Sequence, residues 1–280
     1  METIGVVGAG TMGCGIVQVF LNHGFNVVMN DLNETLINKG VDSVGRYLAK
    51  SVEKGKITGE ERDEIFSRLT ASDDINSLNC CDLVIEAVTE NMEIKTRLFK
   101  KLDEVCSPAA ILASNTSSLS ITAVSNVTNR PDKVIGMHFF NPAPVSALVE
   151  IIRGLNTSSE TYDRAIDYAV KTGKTPVSVQ ESAGFIVNRL LIPMINEAVY
   201  LLAEGVAEAS EIDKAMKLGA GHPMGPLALA DFIGLDVTLA IMENLHNELG
   251  DDKYRPCPLL KKMVRGGLLG RKSKAGFFTY

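Results

Sequence analysis

The hydrophobic positions change rhythm once along the chain, and the change divides it. In the first half, short apolar runs alternate with amphipathic stretches. Ile4-Gly5-Val6-Val7 reads as a short buried strand, followed by a glycine turn and a helix over about 11–22. Residues 26–30 read as a second strand. Apolar spacing then predicts a long helix over 34–54, a polar segment rich in Lys, Glu and Gly, and another helix over 58–68. Strands are expected at 83–87 and 111–113 with a helix over 92–106 between them, and strands at 134–139 and 147–152 complete the set. Such alternation implies a mostly parallel sheet covered on both faces.

Beyond Gly184 the period becomes helical. Phe185, Val187, Leu190, Leu191, Ile195, Val199 and Leu202 share one helical stripe, within which Pro193 predicts a kink or an early start. Further helices are expected over 210–218, with Ser210 as N-cap, and over 227–248. No strand-like stretch returns until Gly276-Phe277-Phe278, and no internal repeat is visible. The pattern therefore predicts two domains, a doubly wound α/β domain over 1–183 and an all-helical one over 184–280.

Composition narrows the classes. At 280 residues, 45% hydrophobic and 22% charged, the chain is an ordinary globular one with room for two cores. No apolar run approaches the ~18–20 residues of a membrane span. Met1-Glu2-Thr3-Ile4 runs straight into the first strand, so no leader and a cytoplasmic address are expected. The five cysteines (Cys14, Cys80, Cys81, Cys106, Cys257) show no C-x-x-C spacing and read as reduced thiols. The four histidines (His23, His138, His222, His246) lie far apart, so no metal site is expected. A net charge of −6 gives no global basic field for nucleic acid. An anionic ligand would have to be caught by local features.

Gly8-Ala9-Gly10-Thr11-Met12-Gly13 supplies one such feature. It is G-x-G-x-x-G placed directly after a strand and at the start of a helix, the phosphate-binding turn of a Rossmann-type domain. Asp31 closes the second strand about 20 residues later, where a carboxylate accepts bonds from ribose hydroxyls and repels a 2′-phosphate. The pair points to NAD rather than NADP. Asp31-Leu32-Asn33-Glu34 also fits a capping box, so a structural role for Asp31 stands beside the binding one.

His138 falls at the end of an apolar strand, where sheets of this kind bind ligands, and imidazole exchanges protons near neutral pH. Glu150 sits between Val149 and Ile151 in the next strand, where a carboxylate needs a partner. Pairing with His138 would orient the ring and stabilise its protonated form. From these residues alone, a structural histidine accounts for the pattern as well as a catalytic one.

Four segments resemble the 3-hydroxyacyl-CoA dehydrogenases: Ile111-Leu112-Ala113-Ser114-Asn115-Thr116-Ser117-Ser118, Gly136 to Pro144, Gly184-Phe185-Ile186-Val187-Asn188-Arg189, and Gly221-His222-Pro223-Met224-Gly225-Pro226. The likeness runs from first strand to last residue and is strongest to the bacterial members acting on 3-hydroxybutyryl-CoA. It implies reversible hydride transfer between NAD(H) and C3 of a short-chain 3-hydroxyacyl-CoA. It further implies His138 as base, Glu150 as its orienting partner, and Ser117 and Asn188 at the reacting oxygen and thioester. The cofactor would be lined by Gly8, Gly10, Thr11, Met12, Gly13, Asp31, Glu90, Lys95, Asn115, Ser117 and Asn141. Lys50, Lys54 and Lys56 stand where the family binds the CoA moiety, although they also fit a solvated helix face. The family implies a homodimer and no membrane or nucleic-acid partner.

Three departures from the family pattern are Ser182-Ala183, where a proline is usual before the glycine, Gly221, where asparagine is common, and the terminal Ser273-Lys274-Ala275-Gly276, which is shifted in composition. The related 3-hydroxyisobutyrate-type dehydrogenases share the outline but use a catalytic lysine, which the His–Glu pair argues against. A non-catalytic, crystallin-like NAD-binding protein is the alternative, and the joint presence of Ser117, His138, Glu150 and Asn188 weighs against it.

Overall fold

The computed structural model describes residues 2–280; Met1, on which the no-leader reading begins, lies outside them. The chain divides into two compact units, the first ending at Glu181 and the second running Ser182–Tyr280.

The first unit is an eight-stranded sheet with strand order β3-β2-β1-β4-β5-β6-β7-β8. Its strands are β1 (Thr3–Val7), β2 (Asn26–Asn30), β3 (Leu69–Ser72), β4 (Leu83–Glu86), β5 (Ile111–Ser114), β6 (Val134–Phe139), β7 (Leu148–Arg153) and β8 (Thr175–Gln180). Between them run α1 (Thr11–Leu21), α2 (Glu34–Glu53), α3 (Gly59–Ser67), α4 (Met92–Val105), α5 (Ile121–Ser125) and α6 (Ser159–Lys171). Every neighbouring pair of strands is parallel except β6 and β7, which are antiparallel. The chain turns from β1 toward β2 on one side and from β4 toward β5 on the other. That reversal opens a crevice at the carboxyl ends of β1 and β4.

Strands β1, β4, β5 and β6 are buried on both faces, which is why they read as continuous apolar runs. Aromatic side chains of α1 and α6 fill one face of the sheet. Phe20 meets Phe25 edge-on at 5.3 Å, and Phe25 lies 6.2 Å from Tyr168. Burying a side chain such as Phe20, fully inaccessible here, contributes ~1.5–3 kcal/mol.

Two strands exceed those the hydrophobic pattern predicts. β3 is four residues long and only partly buried, so Leu-Thr-Ala-Ser carries no run to detect. β8 alternates polar and apolar residues and contains Pro176, a residue that sheets confine to edges. Helices α5 and α6 are likewise additional. α6 is amphipathic, buries Ala165, Tyr168 and Ala169, and is capped by the Ser158 hydroxyl on the Thr161 N–H.

The second unit comprises α7 (Val187–Ala203), α8 (Ala209–Gly219), α9 (Pro226–Ile233), α10 (Leu235–Leu249) and α11 (Pro258–Arg265) around a core that includes Ile192, Ile195, Val199, Met242 and Leu245. The single helix expected over 227–248 is two. Gly234 stands at φ 105, a conformation side chains resist, and breaks the chain between α9 and α10. Ser210 lies inside α8; the N-cap position belongs to Glu208, which makes no side-chain cap bond. α7 begins at Val187 and continues through Pro193. The tail forms only isolated bridges, Gly270 to Ala275 and Ala275 to Thr279. It is tied down instead by buried Asp231, which accepts from the N–H groups of Phe277 and Phe278.

Candidate active site

The glycine turn fits a pyrophosphate for reasons visible residue by residue. Gly8 adopts φ 109, and a Cβ there would come within 2.6 Å of the Ala87 carbonyl oxygen. A Cβ at Gly13 would overlap the Gly8 carbonyl oxygen, so the protein's own packing forbids side chains at both. Gly10 is different: a Cβ there meets nothing within 4 Å. The protein does not need that glycine, but a ligand approaching the backbone at the N-terminus of α1 does. Thr11 and Met12 open the helix, Thr11 exposed and Met12 half-buried.

Asp31 braces this turn from the end of β2. Its Oδ2 accepts the Ala9 N–H at 2.6 Å and its Oδ1 the Leu32 N–H at 2.7 Å. Each carboxylate oxygen keeps capacity for a further donor such as a ribose hydroxyl. The capping-box alternative is overturned, because Asn33 is the N-cap of α2 and accepts the Leu36 N–H at 3.1 Å. Asp31 points back to the glycine turn, two residues before the cap.

Across the crevice, carboxylates organise the ends of β4 and β5. Glu86 is fully buried; its Oε1 accepts from Lys95 Nζ at 2.6 Å and from the Val88 N–H at 2.8 Å, and its Oε2 from Ser114 Oγ at 2.7 Å. Lys95 is 1% exposed and also lies 3.3 Å from Glu90 Oε2. Glu90 Oε1 in turn gathers the Thr116 hydroxyl at 2.6 Å, the Ser117 N–H at 2.9 Å and the Ser118 N–H at 3.1 Å. Glu90 and Lys95 thus hold the loop that carries Ser117. The sequence reading assigned both to the cofactor and missed Glu86, their buried counter-charge. The missing signal is an acid ending the apolar strand Leu83–Glu86, facing a lysine on the buried side of an amphipathic helix.

Asn115 links this loop to the histidine strand. Its backbone N–H donates to the Glu86 carbonyl at 2.8 Å and its Oδ1 accepts the Phe139 N–H at 2.8 Å. His138 lies directly opposite Glu150 in the antiparallel β6–β7 pair, so the register itself brings the two side chains together. His138 Nδ1 and Glu150 Oε2 are 2.8 Å apart, with the ring 5% and the acid 1% exposed. Phe140, not anticipated from sequence, lies 4.4 Å from the imidazole centroid to centroid. Asn141 follows on the surface, joined to Pro142 by a cis peptide.

The remaining expected residues lie on other elements. Lys50, Lys54 and Lys56 are exposed at the far end of α2, whose 20 residues extend ~30 Å. Asn188 belongs to the helical unit, as the second residue of α7, and is 9% exposed. A cavity of about 240 Å³ lies between α1, α2 and the turn after β6, lined by Gln18, Ser43, Tyr47, Asn141 and Ala143 among others. Among the described residues no cluster of His, Cys, Asp and Glu is arranged to hold a metal, and no helix is long and apolar enough to cross a membrane.

Comparison with known proteins follows the same division. Residues 3–182 match the 3-hydroxyacyl-CoA dehydrogenase NAD-binding domain and residues 184–280 the C-terminal domain of that family. A probable 3-hydroxybutyryl-CoA dehydrogenase of Bacillus subtilis is 54% identical over 280 residues, covering 100% of this chain and 98% of its own. The 3-hydroxybutyryl-CoA dehydrogenase of Clostridioides difficile is 53% identical over 277 residues, covering 99% of each chain. The crystal structure of (S)-3-hydroxybutyryl-CoA dehydrogenase from Ralstonia eutropha superimposes with a TM-score of 0.97 at 49% identity, covering 100% of this chain and 99% of that one.

Proposed function

Because the chain belongs to the 3-hydroxyacyl-CoA dehydrogenase family, we propose that His138 and Glu150 carry its reaction, the reversible oxidation of 3-hydroxybutyryl-CoA to acetoacetyl-CoA with NAD. The observation that carries this reading is the buried His138–Glu150 pair at the carboxyl end of β6, in the same sheet as a dinucleotide turn after β1 whose Gly10 leaves its ligand-facing side open. With Nδ1 engaged by Glu150, Nε2 is the nitrogen that exchanges a proton with the 3-hydroxyl. In oxidation His138 takes that proton as the alkoxide forms; in reduction its imidazolium returns it. Glu150 keeps the ring oriented and balances the charge it acquires. The bound nicotinamide supplies or accepts the hydride.

The cofactor rests on Gly8, Gly10, Thr11, Met12 and Gly13, with Asp31 receiving the adenosine ribose. Ser117, held by Glu90, and Asn115 and Asn141 face the nicotinamide end in this reading. Ser117 steadies the reacting oxygen and thioester, a task the family resemblance also gives to Asn188. The CoA moiety follows a stripe of α2: Ser43, Tyr47, Lys50 and Lys54 recur at intervals of three and four, so they share one face. That face leads from the cavity beside α1 to the exposed lysines, which supply the local positive charge that a chain of net charge −6 needs. The homodimer belongs to the same reading and is supported by exposed Leu190, Val206 and Leu218 on the helical unit, at 71%, 64% and 80%. Light scattering at micromolar concentration should give twice the chain mass. A cytoplasmic address completes the reading.

The direct test is the fall in NADH absorbance with acetoacetyl-CoA, run beside NADPH. Rapid oxidation of NADH and slow oxidation of NADPH is the expected result. A preference for NADPH would overturn the role given to Asp31, and no turnover with either would overturn the reaction.

A further inference from the structure

The turn that joins the histidine strand to the glutamate strand is closed from outside by a cation. Within it, the N–H groups of Val145 and Ser146 both donate to the Pro142 carbonyl, at 2.9 and 3.0 Å. The carbonyls of Ala143 and Ser146 point the other way and are bound by Lys174 Nζ, at 2.7 and 2.6 Å. Lys174 is fixed at its own end. Its backbone N–H bonds the Ala169 carbonyl at the end of α6, and the next residue, Thr175, starts β8 by bonding the Ala147 carbonyl. The lysine thus reaches from the root of an edge strand over the turn, with its backbone anchored on both sides.

What the turn does explains why it would be held. Its inner side presses Ala143, 2% exposed, onto α1, where a Cβ at Gly15 would stand 3.1 Å from that of Ala143. The same turn, Asn141 to Val145, forms one wall of the cavity whose other walls are α1 and the Ser43–Tyr47 face of α2. The register of β6 and β7 is set by their own ladder, so His138 and Glu150 stay opposed wherever the turn sits. The cavity wall has no such ladder. Burial lowers the pKa of Lys174, in keeping with an ammonium enclosed by the turn it binds.

We propose that Lys174 is a positioning residue for substrate: its ammonium clasps the 142–146 turn and fixes the wall against which the CoA moiety lies. The inference rests on the acyl-CoA reading of that cavity and adds a residue that touches neither reactant. It separates two demands on one hairpin. The ladder holds the proton-transfer pair, and the clasp holds the binding wall.

The experiment compares wild type, Lys174→Met and Lys174→Arg by steady-state kinetics and by hydrogen exchange of the peptide spanning 141–147. Lys174→Met should raise KM for acetoacetyl-CoA roughly tenfold while kcat and KM for NADH stay within about threefold. Exchange at Val145 and Ser146 should accelerate roughly tenfold with the β6 and β7 amides unchanged, and Lys174→Arg should restore both readouts. An unchanged KM, with or without faster exchange, would overturn the proposal, as would a loss spread equally over kcat and both KM values. If wild type itself failed to turn over acetoacetyl-CoA, the functional reading would fall. The exchange data would still decide whether the clasp exists.

Discussion

Two buried pairs of opposite character lie a few strands apart in the α/β unit, and their difference separates chemistry from scaffolding. Lys95 and Glu86 form one, His138 and Glu150 the other, and in each the basic group and the acid are almost fully inaccessible. Around the first, the donors are amino-acid side chains and backbone: Glu86 also takes Ser114 Oγ and the Val88 N–H, and Lys95 also meets Glu90. Its lysine is enclosed between two acids, 2.6 Å from Glu86 and 3.3 Å from Glu90. The second contains an imidazole, the one basic side chain whose ordinary range straddles neutrality, placed at the carboxyl end of a strand in the sheet that carries the dinucleotide turn. A fixed charge pair holds a loop; a titratable one can pass a proton.

Substitutions can break that contrast in order of expected effect. His138→Ala should lower kcat by ~10²–10⁴ even in protein that is still folded, seen by steady-state kinetics beside calorimetry, although it also leaves the buried Glu150 without its imidazole. Lys95→Met should do the reverse first: stranding the buried Glu86 carboxylate should cost ~3–5 kcal/mol of stability in urea unfolding. A Lys95→Met protein as stable as wild type would show that this pair is not the support argued here. Asp31→Ala, which removes a brace and a ribose acceptor without touching either pair, should raise KM for NADH roughly tenfold and leave KM for acetoacetyl-CoA unchanged. The smallest effect concerns the thiols. Burial pushes Cys106 up to about 11 and Cys81 higher still, so at pH 7.5 both stay protonated and slow toward iodoacetamide. Exposed Cys80 should be alkylated first in a mass-spectrometric time course.

The same contrast explains what could be read from sequence. The fingerprint over Gly8–Gly13 and the acid at Asp31 are local signals, because a tight turn and a strand end recur at fixed spacing in any such fold. His138 and Glu150 were visible as polar residues in apolar strands. That they face each other depends on β6 and β7 being antiparallel, which no single-strand pattern encodes. Glu86 escaped notice because its partner lies on another element and its neighbours make an uninterrupted apolar strand. β8 escaped because an edge strand need not be apolar, and the break at Gly234 because apolar spacing continues across it. The capping-box reading of Asp31 failed because the helix starts two residues later: Asn33 fills the cap, and the residue three on is Leu36, not an acid.

The central claim is that His138 and Glu150 act as one unit, and a double-mutant cycle in kcat tests it most directly. His138→Ala, Glu150→Gln and the double variant are compared with wild type in the NADH–acetoacetyl-CoA assay, each first shown to be folded. The account expects Glu150→Gln to be severe alone and nearly silent once His138 is gone, because an acid that works only through the imidazole has nothing left to orient. Losses that simply multiply would contradict it, and would give Glu150 a task separate from His138.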